Sequence, residues 1–130
     1  QQLVKDLNLG VEIVVCPTVR ETDGLAMSSR NVYLSQEDRK RAVTLYKSLR
    51  AGVEVIRRGA TDGKVVQSAM AHVLKKEPAM TIDYLALCDP HTLEPLCDVT
   101  SQVVLLGAVR IGSVRLIDNL LVTLPRRSSK

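Results

Sequence analysis

Tryptophan and phenylalanine are absent from this chain of 130 residues, and three tyrosines are its only aromatic side chains. Proteins that bind single-stranded nucleic acids often stack the bases on aromatic rings, and that device is poorly supplied here. The core must therefore be built from aliphatic residues and methionine. With 45% hydrophobic residues, the chain still favours a folded domain over a disordered one, and its length suits a single core.

Cysteine and histidine are also scarce. Cys16, Cys88 and Cys97 form no CxxC pair, and His72 and His91 form no HExxH pattern. A disulfide framework and a zinc site are therefore not expected, no metal ligand is predicted, and the cysteine usage fits a reducing cytoplasm. No apolar run approaches the length of a transmembrane helix and no signal peptide is visible, so we expect no membrane partner.

Positive charge is in modest excess, with 18 Lys and Arg against 14 Asp and Glu, for a formal net charge of +4. Such a balance is compatible with a nucleotide, a nucleic acid or an acidic partner. The densest basic cluster, Arg126, Arg127 and Lys130, falls within 125–130, which we predict to be a flexible tail. One hypothesis from charge alone is a stand-alone basic module that binds anions or nucleic acid.

The first seventeen residues carry the pattern of a helix followed by a strand. Residues 1–10 indicate the end of a helix that stops at Gly10. Residues 11–16, VEIVVC, are β-branched and mostly apolar, which predicts a short buried strand. No later segment is an obvious partner for this strand. We therefore expect residues 1–17 to belong to a separate, preceding domain.

Residues 18–124 carry the pattern of an α+β domain. Ser35 is expected to cap a first helix, and Thr61 or Asp62 a second one. Gly52 lies inside the first helical pattern and weakens the case for an unbroken helix. We expect the two helices to cover one face of a small, mostly antiparallel sheet. Its strands are predicted at 81–87, 103–109 and 114–122, the last two joined by a tight hairpin at 111–113.

The long loop before the first helix carries the strongest chemical signal. Ser28, Ser29 and Arg30 stand together in it, and hydroxyls, backbone N–H groups and a guanidinium can all donate to phosphate oxygens. The helix that starts near Ser35 could add its positive dipole end. On these residues alone, a solvated surface loop is the larger alternative to a phosphate site.

A longer string around these residues resembles a known family. CPTVRETDGLAMSSRNVYLS at 16–35 is similar to the signature segment of the pantoate–β-alanine ligase family. DYLALCD at 83–89 resembles a later strand of that family, and RIGSVRLIDN at 110–119 resembles its near-terminal hairpin. The three segments stand in the family's order, and the resemblance covers about residues 3–123.

The resemblance implies a two-domain, ATP-dependent enzyme. A Rossmann-like nucleotidyltransferase domain with a HIGH-like histidine motif precedes a smaller C-terminal lid domain in this family. This chain would be the lid domain, at 18–124, with residues 1–17 as the remnant of the Rossmann-like domain. The implied reaction forms pantoyl adenylate and pyrophosphate, and β-alanine then attacks the adenylate to give pantothenate and AMP. Without the first domain, the chain alone is expected to be inactive.

Residue roles follow from the same resemblance. Ser28, Ser29 and Arg30 are the implied catalytic residues, which hold the β- and γ-phosphates and stabilise the leaving pyrophosphate. The residues implied to bind ATP are Thr18, Val19, Met27, Ser28, Ser29 and Arg30. ATP with Mg²⁺ is the implied substrate, alongside pantoate and β-alanine, with no prosthetic group and no nucleic-acid partner. The full-length protein is implied to be a cytoplasmic homodimer.

Several other matched residues are expected to be structural rather than chemical. We expect Arg20 and Glu21 to shape the loop and Asn31 to cap or brace it. The acidic and amide residues at strand edges and turns are likewise expected to be structural, namely Asp83, Asp89, Asp118 and Asn119.

Overall fold

The structure, a computed structural model, describes residues 1–125. Its helices are α1 (Gln2–Asp6), α2 (Gln36–Ala42), α3 (Thr44–Arg57) and α4 (Gly63–Leu74), and its strands are β1 (Met80–Cys88), β2 (Gln102–Ile111) and β3 (Val114–Thr123). The strands form one antiparallel sheet in the order β1–β2–β3, and α3 and α4 pack on one of its faces. The predicted α+β arrangement with a small antiparallel sheet is confirmed.

An aliphatic core lies between the helices and the sheet. Val103 and Leu105 of β2 are fully buried, and they pack with Leu49 of α3 and Met70 of α4. Burial of each such side chain contributes roughly 1.5–3 kcal/mol. Because the chain has no Phe or Trp, this layer of branched aliphatic side chains carries most of the apolar stabilisation.

The opposite face of the sheet, called here the open face, is not covered by α3 or α4. Side chains alternate between the two faces along each strand. The register pairs Tyr84 with Ala108 and Ala108 with Ile117, so these three share the open face. Tyr84 and Ile117 are exposed there. The open face therefore presents apolar and aromatic surface that the helices do not use.

The first predicted helix is interrupted, at Val43 rather than at Gly52. Val43 separates α2 from α3, and α3 runs through Gly52 without a break. A Cβ atom at Gly52 would lie 2.8 Å from Cδ1 of Leu105 and 2.9 Å from Cγ of Met70. Glycine at this position therefore allows α3 to approach the sheet and α4 closely.

The predicted caps and hairpin are present. Ser35 Oγ accepts a hydrogen bond from the Asp38 N–H at 3.0 Å at the start of α2. Asp62, not Thr61, caps α4, because its Oδ1 accepts from the Lys64 N–H at 2.7 Å. Gly112 has a φ of 53° in the turn between β2 and β3, a left-handed conformation that glycine adopts without steric cost.

The N-terminal prediction is partly wrong. Helix α1 ends at Asp6, before Gly10, and residues 11–16 form no strand within the described chain. Val14 and Val15 are 73% and 74% exposed rather than buried. A strand needs a neighbour for its backbone N–H and C=O groups, and no segment of residues 1–125 pairs with 11–16.

Two further expectations are not tested by the described residues. Of the tail predicted at 125–130, residues 126–130 lie outside the described residues. The division into domains at 1–17 and 18–124 stays a prediction.

Within residues 1–125, none of the helices has the length and apolar character needed to cross a membrane.

Candidate functional site

Residues 19–27, called here the hairpin, form a small antiparallel turn within the long loop. The Met27 N–H donates to the Val19 carbonyl at 3.0 Å, and the Glu21 N–H donates to the Leu25 carbonyl at 2.8 Å. Gly24 occupies the tip with a φ of 98°. Leu25 is 4% exposed and belongs to the core. Leu25 thus connects the hairpin to the core, while most of the other hairpin residues are exposed.

Arg20 fastens this hairpin to the sheet. Its Nη1 and Nη2 donate to the two carboxylate oxygens of Asp118 at 2.7 and 2.9 Å. The same nitrogens donate to the carbonyls of Gly24, at 3.0 Å, and Asn119, at 3.1 Å. The guanidinium carbon lies 4.4 Å from the ring centre of Tyr46 on α3. Arg20 and Asp118 therefore act as structural residues, as expected from the sequence.

A second, more exposed ion pair holds the outer edge of the hairpin. Arg39 of α2 donates to both carboxylate oxygens of Asp23, at 2.7 and 3.2 Å. The hydrogen bond from Arg39, followed by one from the Leu25 N–H, holds the pKa of Asp23 below its usual range. At the tip, a Cβ on Gly24 would lie 2.3 Å from Cδ1 of the Tyr46 ring. Only glycine fits there without displacing the ring.

The Ser-Ser-Arg segment, residues 28–30, follows the hairpin directly. Ser28 caps a 3₁₀ helix at Ser29–Tyr33, because its Oγ accepts from the Arg30 N–H at 3.2 Å. A hydroxyl that accepts a hydrogen bond keeps its own proton for donation to a ligand. Asn31 braces the segment by donating from Nδ2 to the Ala26 carbonyl at 3.1 Å, while its Oδ1 is buried without a partner in the described chain.

The side chain of Arg30 makes no hydrogen bond or ion pair with residues 1–125, and the residue is exposed. Arg20 and Arg39 both engage carboxylates, so Arg30 differs from them in having its whole guanidinium available. A planar guanidinium with uncommitted donors is well suited to phosphate oxygens.

A cavity of about 360 Å³ lies between this loop, α3 and the sheet, and its wall includes residues from both faces of β3. That volume is within the range of small-molecule sites. Of the six residues implied to bind ATP, the cavity wall includes Thr18, Met27, Ser28 and Arg30. Val19 and Ser29 are exposed but are not part of this wall, and neither is Ser35. Helix α3 contributes Leu45 and Tyr46 to the wall. The sheet contributes Tyr84, Leu106, Arg115, Leu116, Ile117, Asp118 and Asn119.

A charged cluster on the open face was missed by sequence reasoning. Asp83 accepts from Nε of Arg115 at 2.7 Å and from Nε of Arg110 at 3.1 Å. The hydrogen bond from Arg115, followed by the charge and the hydrogen bond of Arg110, holds the pKa of Asp83 below its usual range. The register change between Ile82 and Tyr84 is a β-bulge at Asp83, which re-aims its side chain.

The spacing of the two arginines across the turn between β2 and β3 could have revealed this cluster. Arg110 and Arg115 stand directly opposite each other on β2 and β3. Like charges in such a pair are destabilising, so a carboxylate on the neighbouring strand is needed.

Within residues 1–125, no three His, Cys, Asp or Glu side chains come together as a possible metal site. The cavity's available charged donors are instead guanidinium groups, which favour an anion.

Comparison with known proteins identifies a family whose model matches this chain. The family model described as pantoate–β-alanine ligase matches residues 1–121. Among curated relatives, the pantothenate synthetase of Acetivibrio thermocellus is 48% identical over 122 residues, and the match covers 94% of this chain and 43% of the relative. The pantothenate synthetase of Caldicellulosiruptor bescii is 49% identical over 122 residues, with the same coverage of each chain.

A solved structure is also similar. The crystal structure of pantothenate synthetase from Thermus thermophilus aligns with a TM-score of 0.87 at 46% identity, over 92% of this chain and 43% of that one. This chain therefore spans less than half the length of the relatives it matches. The fold described above, including the antiparallel sheet, is shared with that structure over most of this chain.

Proposed function

Because this chain belongs to the pantoate–β-alanine ligase family, we propose that it is the C-terminal part of an ATP-dependent ligase. The complete enzyme would join pantoate to β-alanine through pantoyl adenylate and release pantothenate, AMP and pyrophosphate. The names of its relatives support this activity. Its proposed position in the enzyme rests on the order of the three signature segments, which the family places after a Rossmann-like domain.

One observation carries the proposed role of this part. Arg30 lines a cavity next to the capping hydroxyl of Ser28, and its guanidinium is not engaged by any carboxylate of residues 1–125. Negative charge grows on pyrophosphate as it leaves the α-phosphate of ATP. A guanidinium that meets that growing charge stabilises the transition state more than the ground state. We assign Ser28, Ser29 and Arg30 to the β- and γ-phosphates.

The adenosine would lie at the start of the hairpin. Thr18 and Met27 line the same cavity as Arg30. Val19 is joined to Met27 by a backbone hydrogen bond, so it stands next to that wall. The exposed Met27 side chain offers flexible apolar contact to a base. Mg²⁺ would arrive with the nucleotide as part of the substrate.

The proposal is tested in the complete ligase by the pantoate-dependent exchange of labelled pyrophosphate into ATP. Arg30→Ala should lower the exchange rate about 100- to 1000-fold, the usual cost of one lost electrostatic donor. Arg58→Ala is the matched control, since Arg58 is an exposed residue at the end of α3 that does not line the cavity. Near-normal exchange by Arg30→Ala would remove the role assigned to Arg30.

The isolated chain supplies a second test. We expect it to form no pantoyl adenylate, because the family resemblance implies that the preceding Rossmann-like domain carries the histidine motif and most of the pantoate site. Adenylate formation by the isolated chain would contradict the assignment of these functions to the other domain. The homodimer and the cytoplasmic location of the complete enzyme stay predictions from the family.

A further inference from the structure

The cavity wall contains a second guanidinium, contributed by the sheet. Arg115 of β3 lines the same cavity as Arg30 and Ser28. Arg30 comes from the loop and Arg115 from the sheet, so the two cations reach the cavity from different elements. The side chain of Arg115 is 43% exposed, which leaves it accessible to a ligand.

Arg115 is held in a way that leaves its fork of donors free. Its hydrogen bond to Asp83 uses Nε, at 2.7 Å, and neither terminal nitrogen donates to an acceptor within residues 1–125. The Tyr84 ring lies beneath it, with the guanidinium carbon 5.9 Å from the ring centre. Fixing Nε on a carboxylate restricts the side chain and so reduces the entropy lost when a ligand binds.

The local charge favours an anion. Arg110 and Arg115 share the single carboxylate of Asp83, so the cluster carries two positive charges against one negative charge. The Asp83 carboxylate is ionised at neutral pH, and its lowered pKa extends the ionised state, and with it this arrangement, to more acidic pH. A polyphosphate has enough oxygens to meet donors from the loop and from the sheet at once, which a single carboxylate has not.

We propose that Arg115, positioned by Asp83, is a second polyphosphate-binding guanidinium, which shares the pyrophosphate moiety of the nucleotide with Ser28 and Arg30. This inference rests on the proposed function, because that function brings the phosphates to the cavity. Arg115 binds the phosphates directly, and Asp83 is a positioning residue that acts through it.

Arg110 provides an unusually close control. It bonds the same carboxylate through the same atom, Nε, and it stands opposite Arg115 in the sheet, yet it does not line the cavity. Arg110→Gln and Arg115→Gln therefore remove the same charge and each break one bond to Asp83. Only the second variant removes a donor from the cavity.

The test titrates inorganic pyrophosphate into the isotope-labelled chain and follows backbone amide shifts. Arg115→Gln should weaken binding by about tenfold or more, the loss expected for a charge-assisted hydrogen bond, and Arg110→Gln by about twofold or less. Equal weakening by the two variants would reduce the effect to net charge and overturn the inference. Absence of any pyrophosphate binding by the unmodified chain would also overturn it.

Arg30→Gln separates this inference from the proposed function. If Arg30→Gln weakens pyrophosphate binding and Arg115→Gln has the same affinity as Arg110→Gln, the loop keeps its role and Arg115 is not a phosphate ligand. If only Arg115→Gln weakens binding, the sheet site stands and the role of the loop fails. Arg115→Lys, which keeps the charge but loses the fork, should recover part of the affinity. The amide spectra of the free variants report whether each is folded.

In the complete ligase, the same variants give a kinetic readout. Arg115→Gln should raise the KM for pyrophosphate in the exchange reaction by about tenfold or more. The KM for pantoate should change little, because its carboxylate is assigned to the other domain. A rise confined to the KM for pantoate would overturn the assignment of Arg115 to phosphate.

Discussion

Removal of the Arg20 guanidinium should destabilise this domain far more than removal of an exposed guanidinium that tethers the same hairpin. The Arg20 side chain is 17% exposed and that of its partner Asp118 only 4%. Arg20→Ala would leave the Asp118 carboxylate buried and short of both charged donors. It would also free the carbonyls of Gly24 and Asn119, which accept from the same group.

The magnitude follows from this geometry. Breaking a buried ion pair by removing one partner costs about 3–5 kcal/mol. The lower end applies here, because Arg20 is partly exposed and Asp118 keeps a 2.7 Å hydrogen bond from the Asn119 N–H. For the exposed pair of Arg39 and Asp23, with side chains 31% and 42% accessible, the expected loss in Arg39→Ala is at most about 1 kcal/mol.

Urea unfolding of the two variants and the unmodified chain measures this difference. Arg20→Ala should lower the free energy of unfolding by about 3 kcal/mol with an unchanged dependence on urea. The double variant Arg20→Met, Asp118→Leu should be more stable than Arg20→Ala, because it leaves no buried charge without a partner. If Arg20→Ala and Arg39→Ala lose the same stability, the anchoring role of Arg20 is refuted.

Three further predictions concern the same region. Gly24→Ala should cost at least about 2 kcal/mol in urea unfolding, since its φ of 98° and the nearby Tyr46 ring both oppose a Cβ. The Asp83 carboxylate should titrate below the usual aspartate range in ¹³C NMR. Its contribution to stability is present above the unfolded-state pKa and should be lost as the pH falls through the lowered folded-state pKa. Amide hydrogen exchange should be faster at 29–33 than in the hairpin, which two ion pairs tether; equal protection would contradict this order.

Local patterns predicted most of the fold. The caps at Ser35 and Asp62 and the turn at Gly112 depend on short-range chemistry, which the sequence displays directly. The strand expected at 11–16 failed because β structure depends on a partner, and pattern alone does not supply one. The sequence left open whether the helix is continuous at Gly52, because the role of this glycine depends on Leu105, a residue far away in sequence.

The candidate site shows a different limit, which concerns arginine. Residue type and motif assigned Arg30 to the phosphates and Arg20 to the shape of the loop, but they did not show which acidic group, if any, each of Arg20, Arg39, Arg30 and Arg115 engages. Their roles differ because their partners differ: Asp118 and two backbone carbonyls together engage both terminal nitrogens of Arg20, and Asp23 engages both terminal nitrogens of Arg39. Within the described chain, Arg30 has no acidic partner, and the bond of Arg115 to its carboxylate uses Nε alone.

This difference in partners explains how the hairpin can be rigid while the segment that follows it still has a guanidinium available to a ligand. An arginine saturated by a buried carboxylate gives rigidity but has little left for a ligand, whereas a fully solvated arginine is available but poorly placed. Here the saturated Arg20 fixes the hairpin directly before the segment that carries Arg30. The rigid residue thereby supplies the placement that the available residue lacks. Substitutions at Arg20 should therefore weaken pyrophosphate binding without removing a single donor from the cavity.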